Sequence, residues 1–167
     1  GSKDRTLQIV QHFKHQLSKE KQLTLHIVTT ENGGKARILN HVLQGFVHSP
    51  LVMVLDADSI LSSAAIENGV KYFQDSQVAA LASNVRILKQ PQLLSLIQYI
   101  EYVMGHHMKK AYTSANNEYI VGGIGSMFRL EILKKVNYFD TNTLTEDIDL
   151  SMKILAEGNK KHRVVFG

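Results

Sequence analysis

The stretch LVMVLDAD, residues 51–58, decides how this 167-residue sequence is interpreted. Its first five residues form a continuous apolar run, which is typical of a strand that helices cover on both faces. Two carboxylates follow directly where that strand would end. Because ligands gather at the carboxyl ends of strands in open α/β sheets, the stretch predicts both a buried strand and the edge at which a site lies.

Outward from this stretch, strand-like and helix-like segments alternate along the chain. Such alternation predicts an α/β fold with a mostly parallel sheet flanked by helices. We expect one domain over residues 1–167 that is truncated at both ends and lacks its first strands, since the chain opens on a helix and stops inside a strand. The predicted strands are 23–30, 51–55, 78–87 and 163–166, with a glycine-rich extended segment at 119–129, and the predicted helices are 7–17, 35–48, 63–73, 93–115, 131–136 and 146–157.

Composition excludes several classes of protein. The chain has no Cys, so disulfides and thiolate metal sites are impossible. No apolar run reaches the roughly 18–20 residues of a membrane span. The net charge of +4 comes from dispersed Lys and Arg, which permits an anionic ligand but does not indicate nucleic-acid binding.

Asp56 and Asp58 are the first candidates for chemistry. Two carboxylates one residue apart repel each other unless a cation offsets their charge, and carboxylate oxygens suit Mg²⁺ or Mn²⁺ bound to a substrate phosphate. The alternative is that Asp58 caps the helix that follows. A cap explains one of the two acids, so we favour the metal interpretation.

A second acidic group lies in LTEDIDL, residues 144–150, at the predicted start of a helix. Acids in a first helical turn are favoured by the helix dipole, which accounts for one or two of Glu146, Asp147 and Asp149. The functional interpretation is that Asp147 is a general base that takes a proton from an alcohol. The residues alone leave these two possibilities open.

Two glycine-containing segments could approach a ligand closely. NGGK, residues 32–35, places Lys35 at a helix start that suits an anion or nucleotide, or else it is an ordinary turn with a surface lysine. GGIGS, residues 122–126, allows close contact between backbone and ligand, or else it is an irregular strand.

Taken in order, five motifs resemble the family 2 inverting glycosyltransferases, and in particular their membrane-bound, processive branch of poly-N-acetylglucosamine, hyaluronan and cellulose synthases. The resemblance covers about residues 3–167. It implies the GT-A fold, a nucleotide-binding α/β arrangement. The motifs are NGGKA at 32–36, LDAD at 55–58, QYIEY at 98–102, GGIGSMFR at 122–129 and LTEDIDL at 144–150.

The resemblance also implies roles for individual residues. Asp58 coordinates a divalent metal, Mg²⁺ or Mn²⁺, on the sugar-nucleotide diphosphate, while Asp56 contacts the nucleotide or helps to hold the metal. Lys35 lies near the nucleotide, and Asp147 is the base. The remaining implied positions are Gly122, Gly123 and Glu146 on the acceptor side, and Asp4 matches the last residue of a Ser-x-Asp turn.

The implied function is inverting transfer of a sugar from a UDP-sugar to an acceptor hydroxyl in polysaccharide synthesis. The full-length protein is expected at the cytoplasmic face of the cell membrane, held there by segments outside this soluble piece. The family's first strand and its Gln-x-x-Arg-Trp motif are absent, and the chain contains no Trp.

Two alternatives remain from the sequence. A haloacid dehalogenase-type phosphatase would use Asp56 as its nucleophile, but it leaves residues 32–36 and 145–147 unexplained. A non-catalytic fragment that only binds a nucleotide sugar is the other.

Overall fold

The computed structural model describes residues 2–17, 24–88, 92–118, 120–158 and 161–167. The chain forms two compact units, Gly1–Phe46 and Val47–Gly167. The first unit contains two helices, α1 (Thr6–Leu17) and α2 (Lys35–Gly45). The second unit contains, in chain order, β1 (Leu51–Val54), α3 (Ala65–Tyr72), β2 (Val78–Ala82), α4 (Leu93–Ser114), β3 (Ser126–Arg129), α5 (Leu130–Lys135), α6 (Glu146–Gly158) and β4 (Arg163–Phe166).

The four strands form one sheet in the order β1-β3-β2-β4. β3 pairs antiparallel with both β1 and β2, whereas β2 and β4 pair parallel. Three strands therefore point in one direction and β3 opposes them. The predicted α/β fold is confirmed, with a mixed sheet in which the glycine-rich segment supplies the opposing strand.

The predicted strand at residues 23–30 is wrong for residues 24–30, which adopt no strand, while Leu23 lies outside the described residues. The β-branched and apolar composition of this segment favours an extended backbone, but a strand also needs a neighbour that completes its hydrogen bonds. Among the described residues, every strand that pairs lies within residues 51–166, and residues 24–30 form no such pair.

The extent of two further segments also differs from prediction. β2 ends at Ala82 instead of residue 87, and residues 83–88 continue without regular structure. Only residues 126–129 of the extended segment 119–129 pair as a strand, and Tyr119 lies outside the described residues. The end of β2 and the start of β3 lie at the same edge of the sheet, so both irregular segments adjoin that edge.

The core lies between the sheet and helices α3, α5 and α6. Ile132, Leu133, Leu150 and Ile154 are fully buried, and each contributes roughly 1.5–3 kcal/mol by leaving water. A Cβ atom on Gly69 would overlap the Met127 sulfur, so glycine allows α3 to approach β3 closely. The cluster around that contact contains Phe73, Val78, Leu81, Met127 and Val165.

The Arg129 side chain links β3 by hydrogen bonds to the segment that runs from the end of α3 to the start of β2. Its guanidinium donates hydrogen bonds to the carbonyls of Phe73 (2.7 Å), Asp75 (2.9 Å) and Val78 (2.7 Å). It also lies 5.4 Å from the centre of the Phe73 ring. The arginine of the GGIGSMFR motif thus holds the sheet together at the end of β3.

Candidate active site

The acidic pair follows β1 in a short turn. Asp56 is half-buried and Asp58 is exposed, and the Ser59 N–H donates to the Asp56 carbonyl at 3.1 Å. The helix-cap alternative for Asp58 is wrong, because α3 begins only at Ala65 and Ala64 occupies its N-cap position. Both carboxylates therefore lie in a loop, where neither is needed to start a helix.

The glycine segment lies at the same edge of the sheet as the acidic pair. Val54, the last residue of β1, is paired with Ser126, the first residue of β3. Because the two strands are antiparallel, the loop after β1 and the segment before β3 leave the sheet side by side. The carboxyl ends of β2 and β4 also lie there, since both strands run in the direction of β1.

Hydroxyl groups hold the glycine segment in shape. Ser126 donates to the Gly122 carbonyl, and Ser83, just after β2, donates to the Gly125 carbonyl. Gly125 has φ of 66°, in the left-handed region that glycine adopts without strain. A Cβ atom on Gly122 would meet no heavy atom within 4 Å, so the backbone there borders open space.

That open space is a cavity of about 280 Å³, which we call the glycine cavity. Backbone from Gly122, Gly123 and Ile124 forms one side of it. Tyr102, His106 and Lys109 of α4 also line it, together with Phe166 at the end of β4. Its lining therefore offers backbone amides, a cation and aromatic faces at the sheet edge.

Asp147 is tied to the glycine segment through Ser151. The Ser151 hydroxyl donates to the Asp147 carbonyl (2.7 Å) and accepts a hydrogen bond from the Val121 N–H (2.9 Å). Ser151 and Val121 are both fully buried, so this bridge is shielded from water. It places the first turn of α6 beside the residue that precedes Gly122.

The acids of that first turn remain near the surface. Glu146 and Asp147 are half-buried, and the Asp147 carboxylate accepts a hydrogen bond from the Ile148 N–H at 2.9 Å. Asp149 instead pairs with Lys153 at 2.8 Å, one turn further along the helix. Asp149 therefore has an ion-pair partner within α6, whereas the Asp147 carboxylate accepts a backbone hydrogen bond at the start of the helix.

Lys35 and Asp4 belong to the first compact unit, and the structure describes them there. Lys35 is the exposed first residue of α2 and follows Gly34, which has φ of 85°. Asp4 lies two residues before α1, and its carboxylate accepts a hydrogen bond from the Thr6 N–H at 2.9 Å. Hydrogen bonds from the Thr6 hydroxyl and N–H lower the pKa of Asp4.

Asp56 and Asp58 offer carboxylate oxygens as possible ligands for a metal ion. Among the described residues, no group of three or more His, Asp or Glu side chains could hold a metal ion together. Two carboxylates without a third protein ligand fit Mg²⁺ or Mn²⁺ bound mainly through water and substrate phosphates, as Mg²⁺ commonly is. They do not fit a structural zinc site, which needs four protein ligands.

Several residues of this edge gave little signal in the sequence. Ser151 and Ser83 look like ordinary polar positions, although the spacing of Ser151 four residues after Asp147 is the helical pattern for a hydroxyl that bonds the i−4 carbonyl.

His106 and His107, interpreted as surface or packing residues, are confirmed as such: His107 is exposed and the His106 ring lies 5.4 Å from that of Phe166.

Comparison with known proteins agrees with this arrangement. The family described as "Glycosyltransferase like family 2" matches residues 1–166. The chain therefore belongs to glycosyltransferase-like family 2. This membership explains the ordered motifs and does not favour the phosphatase alternative.

Among curated proteins, the chain is similar to poly-beta-1,6-N-acetyl-D-glucosamine synthases. It is 31% identical over 160 residues to that of Staphylococcus aureus strain COL, covering 95% of this chain and 37% of the relative. It is 32% identical over 158 residues to that of Staphylococcus epidermidis, covering 92% of this chain and 36% of the relative. The chain thus spans little more than a third of the length of these relatives.

Among solved structures, the chain resembles a mannosyltransferase from Pyrobaculum calidifontis in complex with GDP-Man and Mn²⁺. The TM-score is 0.74 with 24% sequence identity, over 100% of this chain and 43% of that one. This likeness confirms the GT-A fold.

Proposed function

We propose that this chain is the catalytic core of an inverting glycosyltransferase that transfers a sugar from a nucleotide sugar to an acceptor hydroxyl in polysaccharide synthesis. The observation that carries the proposal is the convergence of the acidic pair, the glycine segment and the start of α6 on one sheet edge. Residues 1–167 act as one catalytic piece in this proposal.

Asp147 is the general base. It takes the proton of the acceptor hydroxyl as that oxygen forms a bond to the anomeric carbon of the donor. The bond from the anomeric carbon to the nucleoside diphosphate breaks at the same time, so attack from the opposite face inverts the configuration. The Ser151 bridge fixes the helix turn that carries Asp147 beside the glycine segment, which positions the base.

Asp58 and Asp56 hold the divalent cation. Mg²⁺ or Mn²⁺ bound there offsets the negative charge of the diphosphate leaving group. Support comes from the half-buried and exposed carboxylates in one loop, and from the solved mannosyltransferase of the same fold, which is in complex with GDP-Man and Mn²⁺. Lys35 contributes a positive charge for the nucleotide.

Gly122, Gly123 and Glu146 form the acceptor side. The backbone of Gly122 faces open space, so an acceptor sugar can approach it without displacing a side chain. We infer a saccharide acceptor, in keeping with the synthases to which the chain is similar. The UDP-sugar donor rests on the family resemblance of the motifs.

Among the described residues, none of the helices is long and apolar enough to cross a membrane. The relatives to which the chain is similar are more than twice as long. In the proposed function the full-length protein works at the cytoplasmic face of the cell membrane, anchored by segments other than those described here.

Calorimetry tests the proposed donor site. UDP and GDP are titrated into the chain with and without Mn²⁺, and we expect binding of UDP that requires the metal. Asp58→Ala should remove the metal-dependent binding, whereas Glu67→Gln, an exposed carboxylate on α3, should leave it unchanged. Metal-dependent UDP binding that persists in Asp58→Ala contradicts the metal assignment. Binding without any transfer in the full-length protein would instead support the non-catalytic alternative.

A further inference from the structure

A second cavity adjoins the glycine cavity and has a different chemistry. It measures about 430 Å³ and lies between residues 84–87, which follow β2, and the middle of α4. We call it the basic cavity, because Arg86 and Lys110 line it and its lining includes no carboxylate. Tyr99, Tyr102 and His107 of α4 also line the basic cavity.

The described lining of the basic cavity carries positive charge and contains no carboxylate. Arg86 and Lys110 are both exposed, so each can reorient towards a ligand. Burial lowers the pKa of His106, which also lines this cavity, and the nearby charges of Lys109 and Arg86 lower it further.

Asn84 supplies a polar group that lacks a protein partner. Its side-chain oxygen is buried and, within the described part of the chain, accepts no hydrogen bond. A buried acceptor of this kind is unfavourable unless a donor reaches it. The Asn84 N–H donates to the Gly167 carbonyl at 2.8 Å, which fixes the backbone at this position. Because Asn84 lines the basic cavity, rotation of its side chain would bring this oxygen within reach of a donor there, such as a sugar hydroxyl.

Two tyrosines give the cavity flat apolar surfaces. Tyr99 and Tyr102 are three residues apart on α4, so they lie on neighbouring positions of one helix face. Both are partly exposed, at 43% and 37%. Aromatic faces beside hydrogen-bonding groups suit a ring that is apolar on one side and polar at its rim, as a pyranose is.

The two cavities are neighbours. Tyr102 and His106 line both of them, so a ligand bound in one lies beside the other. A single phosphate ion would leave the tyrosines of the basic cavity unused. A chain of sugars that begins at Gly122 would meet both the tyrosines and the positive charges.

We propose that the basic cavity is a second acceptor subsite, which binds a sugar carrying an anionic group next to the sugar that reacts. Arg86 and Lys110 bind the anionic group, Tyr99 and Tyr102 contact the ring, and Asn84 accepts from a hydroxyl. The assignment to the acceptor rests on the proposed function, whereas the binding of an anionic saccharide does not.

Three probes test this subsite by calorimetry on the chain. They are a glucuronic acid–N-acetylglucosamine disaccharide, N-acetylglucosamine 6-phosphate, and the neutral disaccharide N,N′-diacetylchitobiose. We expect at least one anionic probe to bind more tightly than the neutral disaccharide. Preference for the first identifies a carboxylate sugar, and preference for the second identifies a phosphorylated one.

Variants locate the bound probe. Arg86→Ala and Lys110→Ala should each weaken the anionic probe about tenfold, because each removes a charge-assisted hydrogen bond. Arg86→Lys should restore part of the affinity. Lys134→Ala, which removes an exposed lysine at the end of α5, is the matched control and should bind as the wild type does.

Two outcomes overturn the proposal: equal binding of neutral and anionic probes, or anionic binding that is the same in Arg86→Ala, Lys110→Ala and the wild type. UDP with Mn²⁺ is titrated into the same samples. UDP binding without binding of any saccharide probe refutes the subsite and leaves the proposed function intact. Saccharide binding that survives in Asp58→Ala, where UDP binding is lost, supports a separate subsite.

Discussion

Helices α6 and α4 are both amphipathic, yet the fold uses them in opposite ways. The 13-residue α6 buries Leu150, Ser151 and Ile154 against the sheet and its neighbours. The 22-residue α4, all of whose residues are described, buries none of them. Leu93, Leu94 and Met104 of α4 are 75%, 64% and 62% exposed. Helix length and apolar content therefore do not decide which helix becomes part of the core.

The buried helix α6 and the exposed helix α4 have different roles at the site. α6 is anchored on its inner face, so Asp147 at its first turn has a fixed position relative to the glycine segment. α4 contacts the sheet edge through polar and aromatic groups, including the Thr113 hydroxyl, which accepts from the Phe166 N–H at 2.9 Å. One helix positions the proposed base, and the other forms a wall of both cavities.

The largest effect is expected at the start of α6. Asp147→Asn keeps the size of the side chain and removes its ability to accept a proton. Sugar transfer by the full-length protein should fall by about 10²–10⁴-fold, the usual contribution of a general base. UDP binding should be unchanged. Glu157→Gln, at the exposed far end of the same helix, is the control, and transfer within a few-fold of wild type in Asp147→Asn would refute the base assignment.

The second effect concerns stability and compares the two helices directly. Ile154→Ala opens a cavity at a position with 0% exposure and should lower the free energy of unfolding by about 2–5 kcal/mol. Ile100→Ala, at a position on α4 with 49% exposure, should change it by less than about 0.5 kcal/mol. Urea unfolding measures both. Ile154→Val, expected to cost about 0.5–1.5 kcal/mol, keeps the comparison possible if the alanine variant does not fold. Equal losses at both sites would mean that the face of α4 is covered.

The third effect isolates the bridge between α6 and the glycine segment. Ser151→Ala leaves the buried Val121 N–H without its acceptor and should cost about 1–3 kcal/mol. Ser114→Ala on α4 is a close match, because the Ser114 hydroxyl also donates to an i−4 carbonyl, that of Lys110, at 3.0 Å. That serine is exposed, so its loss should be within about 0.5 kcal/mol. Denaturant midpoints and transfer rates are measured together, and unaltered transfer in Ser151→Ala would show that the bridge does not position Asp147.

The smallest effect is a pH dependence on α4. The pKa of His106 is lowered in the folded state, chiefly by burial, so the unfolded chain binds this proton more readily. The stabilising difference is present above the unfolded pKa of about 6.5 and is lost as the pH falls through the window below it. His106→Gln should flatten the stability profile of the wild type in that window. Thermal midpoints from pH 5 to 8 give both profiles, and identical profiles would remove His106 as a contributor.

Sequence patterns predicted the helices of this chain well, because their apolar residues recur with helical spacing. They failed for residues 24–30, where composition favours a strand but the described residues provide no strand pairing. For the candidate site they predicted the residue types and their order, which are local properties. They could not predict Ser151 or Ser83, since each acts on a backbone group 30 or 42 residues away along the chain.

By itself, the sequence determined the apolar strand before Asp56 and Asp58, the family, and the two carboxylates from which we propose a metal site. Only the tertiary structure decided that the glycine segment runs antiparallel to β1 and that Asp58 is not a helix cap. It also decided that α6 is buried while α4 is not. The physical reason is that strand direction and burial depend on which distant segments supply hydrogen bonds and apolar contacts, and local spacing does not contain that information.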